Sequence, residues 1–261
     1  MAEKVKLVDA SKCTGCRGCQ IACKQWNQLP AGATLNSGTY QKPPDLQANT
    51  WSIVRFQEMV DKDEGVKWLF RNDSCVHCTD ATCEKICPAG ARVHLDYGAV
   101  ARDDEKCIGC QSCVVACPFA KPKYSEEANK VYKCNLCPER VQDGLAPACV
   151  KACATGALKF GDKEAMLKLA YSRVKELGGD ASVYGDKFFG GTHVIYVLEE
   201  RVNLYHALPA RPKVASTVIF WKELMKPFRS WEAGIGLGSI AASSVIKRRN
   251  SNDHRRANKE A

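Results

Sequence analysis

No secretory signal is visible in this 261-residue chain: Met-Ala-Glu-Lys-Val-Lys runs into Asp9 and Ser11 without an apolar stretch. This argues against an extracellular disulfide scaffold, which is usually short and exported. A nucleotide loop, a nucleophile with its base and an open metal site are all missing, so the chain is not expected to catalyse a reaction alone. The formal charge is +9, but Lys and Arg are scattered rather than striped, which argues against a nucleic-acid surface.

What the chain has in excess is cysteine, 16 in all. They fall into four quartets with none left over: Cys13, Cys16, Cys19, Cys23; Cys75, Cys78, Cys83, Cys87; Cys107, Cys110, Cys113, Cys117; and Cys134, Cys137, Cys149, Cys153. Pro88 and Pro118 follow the second and third quartets, and the second gap is lengthened in the second and fourth. Three cysteines at two-residue gaps can wrap one cuboidal [4Fe–4S] cluster, with the fourth, at the start of a helix, reaching a neighbouring cluster. Gly15, Gly18 and Gly109 suit loops whose backbone approaches sulfur closely. A zinc module is the rival, but zinc knuckles bring cysteines in pairs, and a triple run supplies one too many.

Charge fits the cluster reading. An oxidised cluster with four thiolates carries about −2, so four would bring about −8 and nearly cancel the formal excess.

Residues 91–103 read as two short strands around Asp96-Tyr97-Gly98, a hairpin joining the second and third quartets. These two quartets therefore pair, which leaves the first to pair with the fourth. The flanking segments 5–9 and 157–161 could close the same hairpin with the chain entering by its other strand. The expected fold is α+β: two ferredoxin-like units, one inserted in a permuted copy of the other, with a C-terminal helical extension. Unit A takes 1–30 and 131–165, an insertion takes 31–70, and unit B takes 71–130. A packing helix, strand and loop fill 166–215. Crossing the fourth ligands gives cluster a (Cys13, Cys16, Cys19, Cys153), cluster b (Cys23, Cys134, Cys137, Cys149), cluster c (Cys75, Cys78, Cys83, Cys117) and cluster d (Cys87, Cys107, Cys110, Cys113). The alternative, pairing neighbouring quartets, leaves the hairpin without a role.

Segment 29–67 starts as a loop around Pro30, Pro43 and Pro44, then turns strand-like at 50–60. Residues 162–177 read as a helix capped by Asp162, with Met166, Ala170, Val174 and Leu177 on its apolar face and Gly178-Gly179 ending it. Residues 193–198 read as a buried strand, and His193 and His206 as structural. Lys133, beside Cys134, is a candidate tuner of cluster potential, weighed against a plainly solvated lysine. The uncharged stretch 233–246 would span about 21 Å as a helix against about 30 Å for a bilayer core. Extending it to 227–246 gives a candidate anchor, followed by a basic tail from Lys247 to Lys259 that the positive-inside rule would leave in the cytoplasm. The alternative is an amphipathic, partner-docking helix in 216–261.

The motifs CTGCRGCQIACKQWN, WLFRNDSCVHCTDATCEKICPAGA, EKCIGCQSCVVACPF, VYKCNLCPERV and PACVKACATGA, with GGTHVIYVL, NLYHALP and FWKELMKP outside the quartets, resemble the iron–sulfur (β) subunit of respiratory formate dehydrogenases. More widely, they resemble the four-cluster subunits of molybdopterin oxidoreductases. In the nitrate reductase branch a Trp stands where this chain has Cys110, giving a three-iron cluster; the Cys here implies four cubanes. The resemblance implies a molybdenum or tungsten pterin α subunit that oxidises formate, and a membrane cytochrome b γ subunit that passes electrons toward quinone. It also implies export, folded, with the α subunit, which puts the cluster domain in the periplasm; a cytoplasmic location is the alternative. A wiring subunit for a polysulfide, sulfoxide or arsenate enzyme, or a free polyferredoxin, keeps the cluster assignments and changes the context.

Overall fold

A computed structural model describes residues 2–32, 38–61 and 65–214. The helix and basic tail expected over 216–261, and the candidate anchor at 227–246 within it, lie outside the described residues. Among the described residues no helix is long and apolar enough to cross a membrane.

The chain runs through strand β1 (Lys4–Asp9), helix α1 (Gly18–Trp26) and a long hairpin, β2 (Ser52–Asp61) and β3 (Gly65–Ser74). Short helix α2 (Thr82–Lys85), hairpin β4 (Arg92–His94) and β5 (Val100–Arg102), and helix α3 (Ser112–Ala116) follow. Then come hairpin β6 (Lys123–Ser125) and β7 (Lys130–Tyr132), helices α4 (Pro138–Gln142) and α5 (Ala148–Lys151), and strand β8 (Leu158–Asp162). Helix α6 (Lys163–Leu177) and strands β9 (Ser182–Tyr184) and β10 (Val194–Leu198) complete an α+β fold.

One four-stranded sheet, ordered β8-β1-β10-β9, organises the molecule. The strands flanking the first and fourth quartets meet in it: β1 and β8 pair antiparallel, with Val5 opposite Gly161 and Leu7 opposite Lys159. Because side chains alternate along a strand, β1 and β10 serve two faces at once. Val5, Leu7, Ile195 and Val197 face α6, against Ala170 and flanked by Met166, Val174 and Leu177. Val8, Val194, Tyr196 and Leu198 face the other way and pack with Cys19 and Cys149. The sheet thus has a helix on one side and cysteines on the other.

Helix α6 starts one residue later than the sequence suggests, and Asp162 does not cap it by side chain. Its carboxylate takes a bond from Lys4 Nζ at 2.7 Å instead, tying β8 to β1. Gly178, at φ +66°, ends the helix, a backbone angle that favours glycine.

The β2–β3 hairpin forms much of the segment read as an insertion over 31–70. Its tip is exposed at Val60 and Val66, but β3 runs to Ser74, and Arg71, Asn72, Asp73 and Ser74 are buried among the cysteine loops. The boundary placed at 70/71 therefore cuts through a strand. The β6–β7 hairpin has no counterpart in the sequence reading.

Candidate metal centres in the cysteine quartets

Each quartet repeats one backbone device. The residue just before the second cysteine has positive φ in all four: Gly15 (70°), His77 (49°), Gly109 (71°) and Leu136 (63°). A left-handed residue reverses the local curl, turning the flanking side chains and amides toward one concavity. The conformation costs a non-glycine residue about 1–2 kcal/mol, so His77 and Leu136 hold it against their own preference. Gly109 has a second reason to be glycine: a Cβ there would lie 2.4 Å from the Asn129 carbonyl oxygen. The close approach at Gly109 is thus to the β6–β7 turn rather than to sulfur.

Cys19, Cys83, Cys113 and Cys149 lie in the first turn of α1, α2, α3 and α5. The third cysteine of each quartet, not the fourth, therefore opens a helix, because a left-handed residue (Arg17 or Gln111) or an extended one (Ala81 or Pro147) precedes it. The fourth follows one turn later. After it the chain turns again at positive φ, at Gly90, Ala120 and Gly156 in the second, third and fourth quartets. That turn aims a backbone N–H at the fourth sulfur: Ala91 to Cys87 at 3.3 Å, Lys121 to Cys117 at 3.5 Å and Leu158 to Cys153 at 3.3 Å. Cys23 departs from the pattern, since α1 continues to Trp26 and the Asn27 amide reaches its sulfur at 3.7 Å.

Cysteines from different quartets meet. Cys13, Cys16, Cys19 and Cys153 line one cavity with Asn72 and Thr155. Cys87, Cys107, Cys110 and Cys113 line another with Arg92 and Val131. Burial pushes the Cys23 thiol well up, and the nearby thiols of Cys134, Cys149 and Cys137 push it further. Burial likewise raises Cys78, beside Cys75, Cys117 and Cys83. The four groups adjoin in a row: Cys19 feels Cys149, and Cys134 feels Cys75. Arg92 lies within electrostatic reach of both Cys113 and Cys83. Cys16 and Cys110 are the exposed cysteines, one in the first group of this row and one in the last.

The donor chemistry fits anionic sulfur. Besides the three backbone amides and Asn27, Asn72 Nδ2 lies 3.3 Å from Cys19 Sγ and Arg92 Nη2 lies 3.5 Å from Cys113 Sγ. A neutral thiol is a weak acceptor, whereas metal-bound thiolates are held by such outer hydrogen bonds. Without a cationic core the same burial keeps the thiols protonated: Cys19 is pushed up to about 12 by burial and by Cys149. Cys137 is likewise pushed up to about 12 by burial and by Cys134. Cys107 goes the other way, because backbone bonds from Val131 and Gly109 and the charge of Arg102 outweigh its burial. Clustered thiols that resist ionisation, yet are ringed by N–H donors, suit an iron–sulfur core that supplies the missing positive charge. Among the described residues no three His, Cys, Asp or Glu side chains sit close enough to grip a single ion.

Lys133 is not solvated. It is buried, and its ammonium bonds the carbonyls of Val100 and Cys134. His193 is buried, its Nδ1 2.9 Å from the His77 carbonyl, and His206 is exposed. The sequence reading passed over Lys6, Asn72, Asp73 and Arg92. The signal for Lys6 was present: in VKLVD it alternates with Val5 and Leu7 and shares a face with Val8.

Family models described as 4Fe-4S dicluster domain match residues 12–91 and 66–163. The formate dehydrogenase-O iron–sulfur subunit of Escherichia coli (strain K12) is 45% identical over 251 residues, 94% of this chain and 82% of the relative. The nitrate-inducible formate dehydrogenase iron–sulfur subunit of the same organism is 45% identical over 87% of this chain and 79% of its own length. The formate dehydrogenase subunit beta of Megalodesulfovibrio gigas is 37% identical over 77% of this chain and 95% of its own.

Proposed function

Because the chain belongs to the family of formate dehydrogenase iron–sulfur subunits and so serves electron transfer, we propose that it holds four [4Fe–4S] clusters between a formate-oxidising pterin α subunit and a membrane cytochrome b. One observation carries this reading: cysteines of different quartets line shared cavities, Cys13, Cys16 and Cys19 with Cys153, and Cys87 with Cys107, Cys110 and Cys113, while backbone N–H groups reach the sulfurs of Cys87, Cys117 and Cys153. Cluster a is assigned to Cys13, Cys16, Cys19 and Cys153, cluster b to Cys23, Cys134, Cys137 and Cys149, cluster c to Cys75, Cys78, Cys83 and Cys117, and cluster d to Cys87, Cys107, Cys110 and Cys113. The β1–β8 pairing and the β4–β5 hairpin support a ferredoxin-like unit inserted in a permuted copy of itself.

When bound, such clusters supply one-electron sites whose potentials follow charge, burial and hydrogen bonds to sulfur. The chain's residues set those levers. Thiolates fix the spacing, the amides of Ala91, Lys121 and Leu158 and the side chain of Asn72 stabilise electron-rich sulfur, and the β2–β3 base excludes water. The contacts support the order a, b, c, d, with exposed Cys16 and Cys110 at the two ends as the places to meet partners.

By the resemblance, the proposal extends to an α subunit, a γ subunit, membrane association and a periplasmic cluster domain exported with α. The test is purification of the complex from its host. The expected result is about sixteen irons per chain, co-purifying α and γ subunits, and no formate oxidation by the isolated chain. A pale preparation, or activity without α, would overturn the reading.

A further inference from the structure

We propose that Lys6, Lys133 and Arg92 are junction cations, each shared by two neighbouring clusters and each raising the reduction potential of both. The inference rests on the four-cluster reading above and adds to it a function for residues outside the cysteines.

The described interior holds six buried cations, and they divide cleanly. Arg55, Arg71 and Lys121 converge on the carboxylate of Asp73. Among the described residues Lys6, Lys133 and Arg92 make no ion pair with a carboxylate; their bonds go to neutral groups and to sulfur. Lys6, fully buried, bonds Asn72 Oδ1 at 3.0 Å and Ser74 Oγ at 2.7 Å. Lys133 bonds two backbone carbonyls. Arg92 bonds the Val131 carbonyl at 3.2 Å and Cys113 Sγ at 3.5 Å, and its buried Nη1 has no hydrogen-bond partner. A buried charge without a counter-ion is among the most destabilising features a fold can carry. Hydrogen bonds tie all three to the cysteine quartets, Lys6 through Asn72, Lys133 at the Cys134 carbonyl and Arg92 at the Cys113 sulfur.

Each of the three lies at a junction. Lys6 is joined to cluster a through Asn72, whose Nδ2 reaches Cys19 Sγ, and it shares a face of β1 with Val8, which packs in one buried cluster with Cys149 of cluster b. Lys133 bonds the carbonyl of Cys134 in cluster b, and it also bonds the carbonyl of Val100, whose N–H donates to Nδ1 of His77 between Cys75 and Cys78 of cluster c. Arg92 touches Cys113 in cluster d, and its strand β4 packs against α2, which carries Cys83 of cluster c. Three junctions in a row of four clusters thus hold three cations. A positive charge between two sites favours adding an electron to either, so its removal should lower two potentials and leave the others in place. At about 10 Å and an effective dielectric of about 20, one unit charge changes a one-electron equilibrium by about tenfold, or about 59 mV.

The test is a potentiometric titration of the purified complex carrying the full chain, followed by electron paramagnetic resonance, for wild type, Lys6→Gln, Lys133→Gln and Arg92→Gln. Each variant is expected to keep its iron and to lower two of this chain's four reduction steps by about tenfold. The pattern of overlap needs no spectral assignment. Lys6→Gln and Lys133→Gln should share one step, Lys133→Gln and Arg92→Gln should share another, and Lys6→Gln and Arg92→Gln should share none. The charge-keeping variants Lys6→Arg, Lys133→Arg and Arg92→Lys should leave all four steps in place. Overturning results are iron-replete neutral variants that move no step or one step, a step shared by Lys6→Gln and Arg92→Gln, or iron loss in a neutral variant and its charge-keeping counterpart alike. A wild-type chain without four steps would instead overturn the four-cluster reading.

Discussion

Replacing Asp73 with asparagine removes one charge from a place where four meet. The carboxylate lies 2.6 Å from Lys121 Nζ, 3.1 Å from Arg71 Nη1 and 2.9 Å from Arg55 Nε, and it is fully buried. Arg55 retains Asp45 as a partner, but Arg71 and Lys121 are left without a carboxylate. Breaking a buried ion pair by deleting one member costs about 3–5 kcal/mol, because the remaining charge stays desolvated. For a domain of this size each kcal/mol lowers the melting temperature by about 2–4 °C. Asp73→Asn should therefore melt roughly 6–20 °C below wild type. Scanning calorimetry at one fixed rate, with cluster colour followed in parallel, measures the gap.

The pH dependence is equally specific. Burial alone would raise the Asp73 carboxyl, but the charges of Lys121, Arg71 and Arg55 outweigh it and hold the group well below its ordinary value of 3.8. A carboxyl depressed in the folded state contributes its full stabilisation above the ordinary value and loses it as pH falls toward the depressed one. The gap between wild type and Asp73→Asn should stay constant from about pH 5 to 8 and close only below about pH 4. A gap under about 3 °C at pH 7, or one that changes between pH 5 and 8, would refute the reasoning.

Ile195→Ala, on the α6 face of the sheet, should cost about 2–5 kcal/mol in denaturant titrations while leaving iron content intact, since its neighbours are apolar residues away from the quartets. Gly109→Ala combines a positive φ with a Cβ 2.4 Å from the Asn129 oxygen; it should lower the iron per chain by about four, read by metal analysis. Cys134→Ser in the assigned cluster b should block formate-dependent reduction of the cytochrome while sparing reduction of a dye at the α subunit. Chelating the iron under reducing conditions should raise amide exchange first in β1 and β3, whose buried Lys6, Asn72 and Ser74 then lose their anionic neighbours.

The cysteine spacing alone made the quartets legible, and two signals in 91–103 and 157–161 were enough to anticipate which strands meet. Both are local signals, a turn and an alternation. The extent of β3 was not legible, because Arg71-Asn72-Asp73-Ser74 reads as a polar loop. It is a buried strand only because Lys6, Lys121 and Arg55 arrive from distant segments to satisfy it. Lys133 was misjudged for a related reason. A lysine beside a cysteine reads as solvated unless the Val100 carbonyl, 33 residues away, is known to receive it. The capping role of Asp162 failed to a long-range competitor as well, since Lys4 takes its carboxylate.

The misses at β3 and Lys133 share one physical cause, which also bears on the chain's composition. Six buried cations face two buried carboxylates, Asp9 and Asp73, among the described residues, an excess of four positive charges inside the fold. Neutral thiols cannot balance it, and burial raises rather than lowers most of the thiols whose shifts are resolved. Ionised sulfur on iron can, at about −2 for each complete cluster. Four such clusters would bring about −8, so the buried excess of positive charge offsets about half of it inside the fold, and the remaining Lys and Arg of a chain with formal charge +9 offset the rest. A reading that treats lysine and arginine as surface residues must misplace the ones this fold keeps inside.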